Sequence, residues 1–292
     1  MTPLLTIGLP FYNDRQTLEM ALKSIFVQTC QDWELIIVDD GSTDGSSKIA
    51  ESLADSRVKL IKDGDNRGLI FRLNQITTLA RGKFIARMDA DDMMDPERLQ
   101  KQLAYLLANP DVDVVDTGTY SIDQNNTPIG KRGLDDINRD AKEVLKHTML
   151  LHASIMGKKS WFLENPYDED YIRAEDYELW CRTHTKSIFA RIKEPLYIVR
   201  EGKVNVSNYA MSSKTIRKIF RNYSSGVLSP VETQIELIKS KGKVFAYKTF
   251  ALFDKQDILS KSRNVPLSID EINAVNKIIE RIRDQKLYSE KK

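Results

Sequence analysis

Gly82-Lys83-Phe84-Ile85-Ala86-Arg87-Met88-Asp89-Ala90-Asp91-Asp92 is the stretch on which the reading of this chain turns. Its apolar run, Phe84 to Met88, predicts a buried strand. The strand ends in three carboxylates, Asp89, Asp91 and Asp92. Asp95-Pro96 then predicts a helix start, with Asp at the N-cap and Pro at the first helical position. Acids crowded at the carboxyl end of a strand repel one another and cost free energy to desolvate. A divalent cation removes that cost, and Asp-x-Asp suits Mg²⁺ or Mn²⁺, which take hard oxygen ligands and share them with phosphates. Taken alone, the same acids fit a solvated loop and a helix cap, because Asp is common in turns.

Working outward, other strand ends carry matched polar groups. Leu4 to Pro10 predicts a strand followed by the turn Phe11-Tyr12-Asn13-Asp14, with Asp14 as cap of a helix that buries Leu18, Leu22, Ile25 and Phe26. Glu34 to Val38 predicts a second strand ending in Asp39-Asp40, then Gly41-Ser42-Thr43-Asp44-Gly45 turns into a second helix. Arg57 to Ile61 is a third strand. Asn66-Arg67-Gly68 leads into a helix with Leu69, Leu73, Ile76 and Leu79 on one face. After the fourth strand comes a helix burying Leu99, Leu103 and Leu106, then a strand at Val112 to Val115. Strands alternating with amphipathic helices predict βαβ units and a mostly parallel central sheet. Ligands of such sheets bind outside the carboxyl ends of the strands. Four strand ends therefore bring polar groups to one edge.

The 292 residues allow one large domain, or a domain with an appendage. Hydrophobic content of 41% and charge of 29% are ordinary for a globular protein. No apolar run approaches the roughly 20 residues of a membrane-spanning helix. The expectation is a cytoplasmic protein without a signal peptide, since the first residues carry no basic region. Cys30 and Cys181 lack metal spacing and read as small packing residues. The net charge of +2 hides a split. Met211 to Lys292 holds 17 Lys+Arg against 9 Asp+Glu, and the residues before it hold 27 against 33. A basic tail follows an acidic front.

In the second half, Ser121 to Asn138 reads as a loop or hairpin. Leu150 to Met156 is apolar around one histidine, His152. Glu175-Asp176 opens a helix, where acids suit the helix dipole. Glu194 to Arg200 reads as a closing strand. Beyond Val206-Ser207 the pattern is helical, with starts at Pro230 and at the capping-box spacing Ser268 to Glu271.

These motifs, in this order, resemble the inverting nucleotide-sugar glycosyltransferases of family 2, of the bacterial surface-polysaccharide type. The resemblance covers about the first 200 residues and rests on motif spacing. It runs from Thr6-Ile7-Gly8-Leu9-Pro10-Phe11-Tyr12-Asn13 through Leu35 to Asp44, Asn66-Arg67-Gly68, Gly82 to Asp92 and His152 to Met156, to Glu175-Asp176-Tyr177-Glu178-Leu179-Trp180. It implies an α/β GT-A (Rossmann-like) fold with a C-terminal helical appendage. The implied domains are 1–208, divided into a nucleotide-binding half (1–118) and an acceptor half (119–208), and a basic helical region, 209–292.

By resemblance, Pro10, Tyr12 and Asn13 belong to the nucleotide site, with Tyr12 stacking on the base. Asp40 accepts from the base N–H, and Asp39 either joins it or supports the loop. Arg67 contacts base or phosphate. Asp89, followed by Ala90, lies near the ribose, and Asp91 holds a divalent metal, Mn²⁺ or Mg²⁺, on the diphosphate. Asp176, paired with Glu175, is the general base. His152 is either a satisfied core residue or a group near metal or acceptor. Arg182 either approaches the diphosphate or makes a structural ion pair. Many relatives close the domain with a Tyr-Arg-x-His segment; here Ile198-Val199-Arg200-Glu201-Gly202-Lys203 lacks the His, leaving Arg200 and Lys203 to meet the diphosphate.

The implied reaction is transfer of a hexosyl group from a nucleotide-sugar donor, UDP favoured, to a saccharide acceptor, which family members also use linked to polyprenyl diphosphate. The basic tail, with Phe and Tyr among its lysines, suits a peripheral contact with the inner face of a membrane or a plain solvated surface. Nucleic acid is disfavoured, because the basic residues lie away from the motif edge. Two other readings stay open: a non-catalytic nucleotide-sugar-binding module, and a nucleotidyltransferase, although Gly8-Leu9-Pro10-Phe11-Tyr12 lacks the Gly-rich basic signature of the latter. A receiver-like domain explains Asp39-Asp40 but neither of the other acidic motifs.

Overall fold

The computed structural model describes residues 2–253 and 264–287. The stretches of the expected basic tail at 254–263 and 288–292 lie outside the described residues.

Four parallel strands form as the alternation predicts: β1 (Leu5–Phe11), β2 (Trp33–Asp39), β3 (Val58–Lys62) and β4 (Phe84–Arg87). They are joined by α1 (Leu18–Phe26), α2 (Ser46–Glu51) and α3 (Leu69–Leu79). Their order in the sheet is β3-β2-β1-β4. The chain builds outward from β1 in one direction and then returns to its other side. This leaves a switch point at the carboxyl ends of β1 and β4, where a crevice opens. Gly8 lets α3 lie close on β1, since a Cβ there would come within 2.6 Å of Ile76 Cγ2.

The other half of the sheet is mixed. Its elements are β5 (Met93–Met94), α4 (Arg98–Ala108), β6 (Val114–Ile122), β7 (Pro128–Arg132), α5 (Ala141–Lys146), β8 (Met156–Lys158), α6 (Lys159–Glu164), α7 (Glu175–Thr183) and β9 (Phe189–Arg200). The strand expected at Val112 begins at Val114 and runs to Ile122. It does not neighbour β4. The short strand β8 lies between them, antiparallel to both. β9 pairs parallel with β6, and β5 pairs antiparallel with β9. The expected hairpin is β6–β7.

Helices cover both faces. One core joins β1, β2 and β4 with α1 and α4, around Leu22, Ile37, Ala86 and Leu103. The other packs Ile85, Trp161, Trp180 and Phe189 against α3, α6 and α7. The C-terminal helices follow: α8 (Val206–Tyr223), α9 (Pro230–Ala251) and α10 (Ile269–Asp284). α8 contributes Ile219 and Phe220 to the second core. α10 buries Val275, Ile279 and Ile282 against Met93, Ile122 and Ile198. The α9 and α10 starts carry full capping boxes, Ser229/Glu232 and Ser268/Glu271.

Two caps sit elsewhere than the sequence predicts. α1 begins at Leu18 with Thr17 at its N-cap. Asp14 serves the preceding turn: its carbonyl accepts from Thr17 and Leu18, and its carboxylate accepts from the Tyr12 N–H at 3.0 Å. α4 begins at Arg98, and the Asp95 carboxylate accepts from the Glu97 N–H at 2.8 Å, one turn early. In both places a tight turn precedes the helix, and the aspartate satisfies that turn first.

Candidate active site

The carboxyl ends of β1, β2 and β4 frame a cleft of about 410 Å³. Pro10, Phe11 and Tyr12 form one wall, Asp40 and Arg72 the floor, and Asp89, Ala90 and Asp91 the far rim. Tyr12 stands at the mouth, 49% exposed. Asn13 takes a left-handed conformation (φ 59°). From it the side-chain oxygen accepts from the N–H groups of Thr43 (2.8 Å) and Asp44 (3.3 Å), tying the loops after β1 and β2 together.

The adjacent acids Asp39 and Asp40 point to different tasks, as side chains of successive strand residues do. Asp39 is fully buried. It accepts from the Ser42 N–H at 2.8 Å and from the Ser47 hydroxyl, so it braces the loop from inside. Asp40 turns to the cleft. Its carboxylate accepts from the N–H groups of Arg67 (2.8 Å) and Gly68 (3.0 Å) and from Arg72 Nε (2.7 Å). Gly68 makes this possible with φ 83°, a conformation costly for residues with a Cβ. The Arg67 side chain leaves the floor: it pairs with Asp65 at 2.9 Å, lies over Phe71 and lines a neighbouring cleft.

At the far rim Arg87 dominates. It donates to Asp89 Oδ1 at 2.7 Å and to Oδ2 at 3.2 Å. Burial opposes its charge, but the surrounding acids, Asp89 first, outweigh that and raise its pKa. Asp91 reaches the solvent at the cleft mouth. The walls around it, and then the carboxylates of Asp89 and Asp14, push its pKa up to about 6. Asp92, far from being solvated, is buried; it accepts from the Arg200 N–H at 2.8 Å. Desolvation, then Asp91 and Asp89, hold its pKa well above the usual carboxylate range. The Arg200 guanidinium donates to the Asp91 carbonyl at 3.0 Å and to Asn126 Oδ1 at 2.7 Å. It lines a second cleft of about 280 Å³, which shares Asp89 and Asp91 with the first and adds His152 and Arg132.

His152 joins this rim to the start of α7. Arg87 Nη1 lies 2.7 Å from His152 Nε2, and the Tyr167 hydroxyl lies 2.7 Å from the same nitrogen. His152 Nδ1 is 4.0 Å from Glu175 and 3.9 Å from Asp176. Burial, and then Arg87, drive the imidazole pKa well below its usual value, so the ring is neutral. Desolvation, and then Asp176, push Glu175 up to about 7. Asp176 is raised as well, by desolvation that Arg87 opposes. The half-buried Asp176 is thus an unpaired-looking acid only in sequence; in the fold it belongs to a neutral-to-anionic trio beside one buried guanidinium. Glu175 also lines a third cleft of about 570 Å³, which meets the first at Leu69 and Arg173. Arg182 is held apart from these clefts, by Glu178 at 2.8 Å and the Pro166 carbonyl at 2.8 Å.

The loops thus present two acidic stations, Asp89/Asp91 and Glu175/Asp176, joined through Arg87 and His152. Residues 6–191 match Glycosyl transferase family 2. The chain belongs to this family.

As a glycosyltransferase it has relatives of known naming. It is 30% identical over 181 residues to the Escherichia coli UDP-Glc:alpha-D-GlcNAc-diphosphoundecaprenol beta-1,3-glucosyltransferase WfgD, covering 61% of this chain and 68% of that one. Among solved structures, TarS 1-349 of S. aureus in complex with UDP matches with a TM-score of 0.59 at 15% identity, over 97% of this chain and 88% of that one. The mannosyltransferase PcManGT of Pyrobaculum calidifontis, in complex with GDP-Man and Mn2+, matches with a TM-score of 0.57 at 15% identity, over 97% and 86%. At such identities the likeness carries the GT-A fold alone.

Among the residues of this glycosyltransferase site that the sequence reading gives no role are Arg72, Arg87, Arg173 and Tyr197. Arg72 left a trace. It falls beside Leu69, Leu73 and Ile76, and a cation within a buried helix stripe requires an acid partner. Arg87 likewise interrupts the apolar run of β4. Tyr197, whose hydroxyl accepts from the Asp89 N–H at 3.1 Å, and Arg173, at φ 65°, left none.

Proposed function

We propose that this glycosyltransferase moves a sugar, with inversion, from a nucleotide-diphosphate donor, a UDP-sugar before others, to a saccharide acceptor in surface-polysaccharide synthesis. The observation that carries this reading is the pair of acidic stations around one crevice: Asp89/Asp91 at the donor rim and Glu175/Asp176 across Arg87 and His152. The named donor of WfgD and the UDP bound to TarS support the choice of nucleotide. The diphosphoundecaprenol acceptor in the WfgD name supports a lipid-linked saccharide acceptor.

In this reading Tyr12 stacks on the base and Asp40, fixed by three donors, accepts the base N–H. Asn13 holds the loop that carries Tyr12. Asp39 acts on the site only through that loop. Asp89, clamped by Arg87, meets the ribose. The divalent metal fits at Asp91. Burial first, and then the crowding carboxylates of Asp89 and Asp14, raise its pKa, and a cation there would offset both. His152, Glu175 and Asp176 also lie close enough to hold an ion. There, however, Arg87 already supplies the positive charge, which favours the metal at Asp91. A cation at Asp91 supplies charge neutralisation for the departing diphosphate.

Asp176 accepts the proton of the attacking acceptor hydroxyl. The hydroxyl oxygen bonds to the anomeric carbon as the bond from that carbon to the diphosphate oxygen breaks. One displacement inverts the anomeric centre. His152, kept neutral by burial, stands 3.9 Å from Asp176, and Glu175 adjoins it in the first turn of α7.

Transfer of radiolabelled sugar from UDP-sugars, with the product anomer read by NMR, tests the reading. An α-linked donor should give a β-linked product, and Asp176→Asn should lower kcat by about 10²–10⁴-fold. Retention of configuration, or an Asp176→Asn enzyme as fast as wild type, would overturn it.

A further inference from the structure

α9 carries an apolar ridge that none of the described residues covers. Val231, Ile235, Ile238 and Phe245, with Leu252 at the C-cap, follow one another at steps of four, three, seven and seven residues, which keeps them on one side of a helix. All five are exposed, Ile238 at 66% and Phe245 at 73%. The opposite side, through Leu237 and Tyr247, is what packs on the protein.

Lysines flank the ridge on both sides. At 3.6 residues per turn, Lys241 and Lys248 fall along one flank and Lys239 and Lys243 along the other. All four are exposed. The acids of α9 are Glu232 and Glu236, both in its first two turns. Glu232 is engaged by the Ser229 cap and by Lys142, and Glu236 by Lys239 at 2.8 Å. Beyond Lys239 the helix carries no acid.

We infer that α9 lies on an anionic lipid bilayer, with the ridge among the acyl chains and the lysines at the headgroups. An apolar strip between cationic borders matches the layering of such a surface. A second copy of the chain suits it poorly, because α9 against α9 would set lysine borders against each other. Among the described residues no helix is long and apolar enough to cross a membrane, so the contact is peripheral. The helix is also tied to the catalytic clefts. Tyr247 packs on Tyr209 of α8 with ring centroids 4.0 Å apart, and Ser212, one turn along α8, lines the cleft that holds Glu175. A docked α9 would therefore hold that cleft beside the bilayer. The inference deepens the lipid-linked acceptor reading, but vesicle binding needs no donor and no turnover, so the two can fail separately.

Co-sedimentation of the full chain with vesicles tests it. One set is phosphatidylcholine and the other an equal mixture of phosphatidylcholine and phosphatidylglycerol. The protein should bind the mixed vesicles, release in high salt and ignore the neutral ones. The double variant I238N/F245N should bind at least about tenfold more weakly, with unchanged circular dichroism and melting temperature. K241E/K248E should also weaken binding, without touching the apolar ridge. Wild-type protein that binds neither vesicle overturns the inference. So does a double variant that binds as wild type does, or a wild-type dimer that I238N/F245N splits while vesicles are ignored.

Discussion

Arg87 grips both oxygens of Asp89, at 2.7 and 3.2 Å, from a position that is almost wholly buried. The pair ties the end of β4 to His152 and so couples the two acidic stations. Arg87→Ala would leave Asp89 facing buried acids without a counter-charge. Stability should fall by about 3–5 kcal/mol, measured by urea unfolding. Arg87→Lys should recover part of the stability but little of the transfer rate, because an ammonium cannot reproduce the two-pronged grip.

Asp39 and Asp40 should separate cleanly under mutation. Asp39→Ala removes a loop brace and should cost about 1–3 kcal/mol of stability. Asp40→Asn weakens a charged acceptor on the cleft floor and should reduce nucleotide affinity roughly tenfold, as loss of a charge-assisted hydrogen bond does. Urea unfolding beside calorimetric nucleotide titration distinguishes the two effects.

The carboxylates of α7 give a pH signature. Glu175 is lifted from 4.5 to about 7, by desolvation first and Asp176 second. Between those values the folded protein keeps a proton that the unfolded chain has released. The Glu175 contribution to stability therefore falls as pH rises through that window and levels off above it. Glu175→Gln should flatten this slope in melts recorded across the window. The transfer rate should move the opposite way, rising with pH as the coupled pair deprotonates.

α10 lies far along the chain from the catalytic motifs yet shares a core with β5 and β9. Ile282→Ala should cost about 2–5 kcal/mol. A melting curve unchanged by this substitution would show that α10 is loosely attached.

The front half of the fold was legible because its signals are local. Each of the first four strands is an apolar run ending in polar residues, and each following helix has a 3.6-residue apolar period. In the other half the hairpin and the closing strand were legible, but β5 and β8 were hidden. β8 has three residues and β5 two, too short to show any period, and their pairing is set by tertiary packing. The same division holds at the site. Asp40, Asp91 and Asp176 announce themselves as clustered acids. Asp39 looks identical to Asp40 in sequence, and only strand alternation sends it into the loop. Tyr197 reaches Asp89 from β9, 108 residues away, and no pattern within one segment could reveal it.

Calorimetric titration with UDP, with and without Mn²⁺, on wild type and Asp91→Ala tests the donor-site account most directly. It predicts binding to wild type that strengthens with the metal, and a metal effect that disappears in Asp91→Ala. Binding that is indifferent to Mn²⁺, or equally metal-dependent in both proteins, would contradict it.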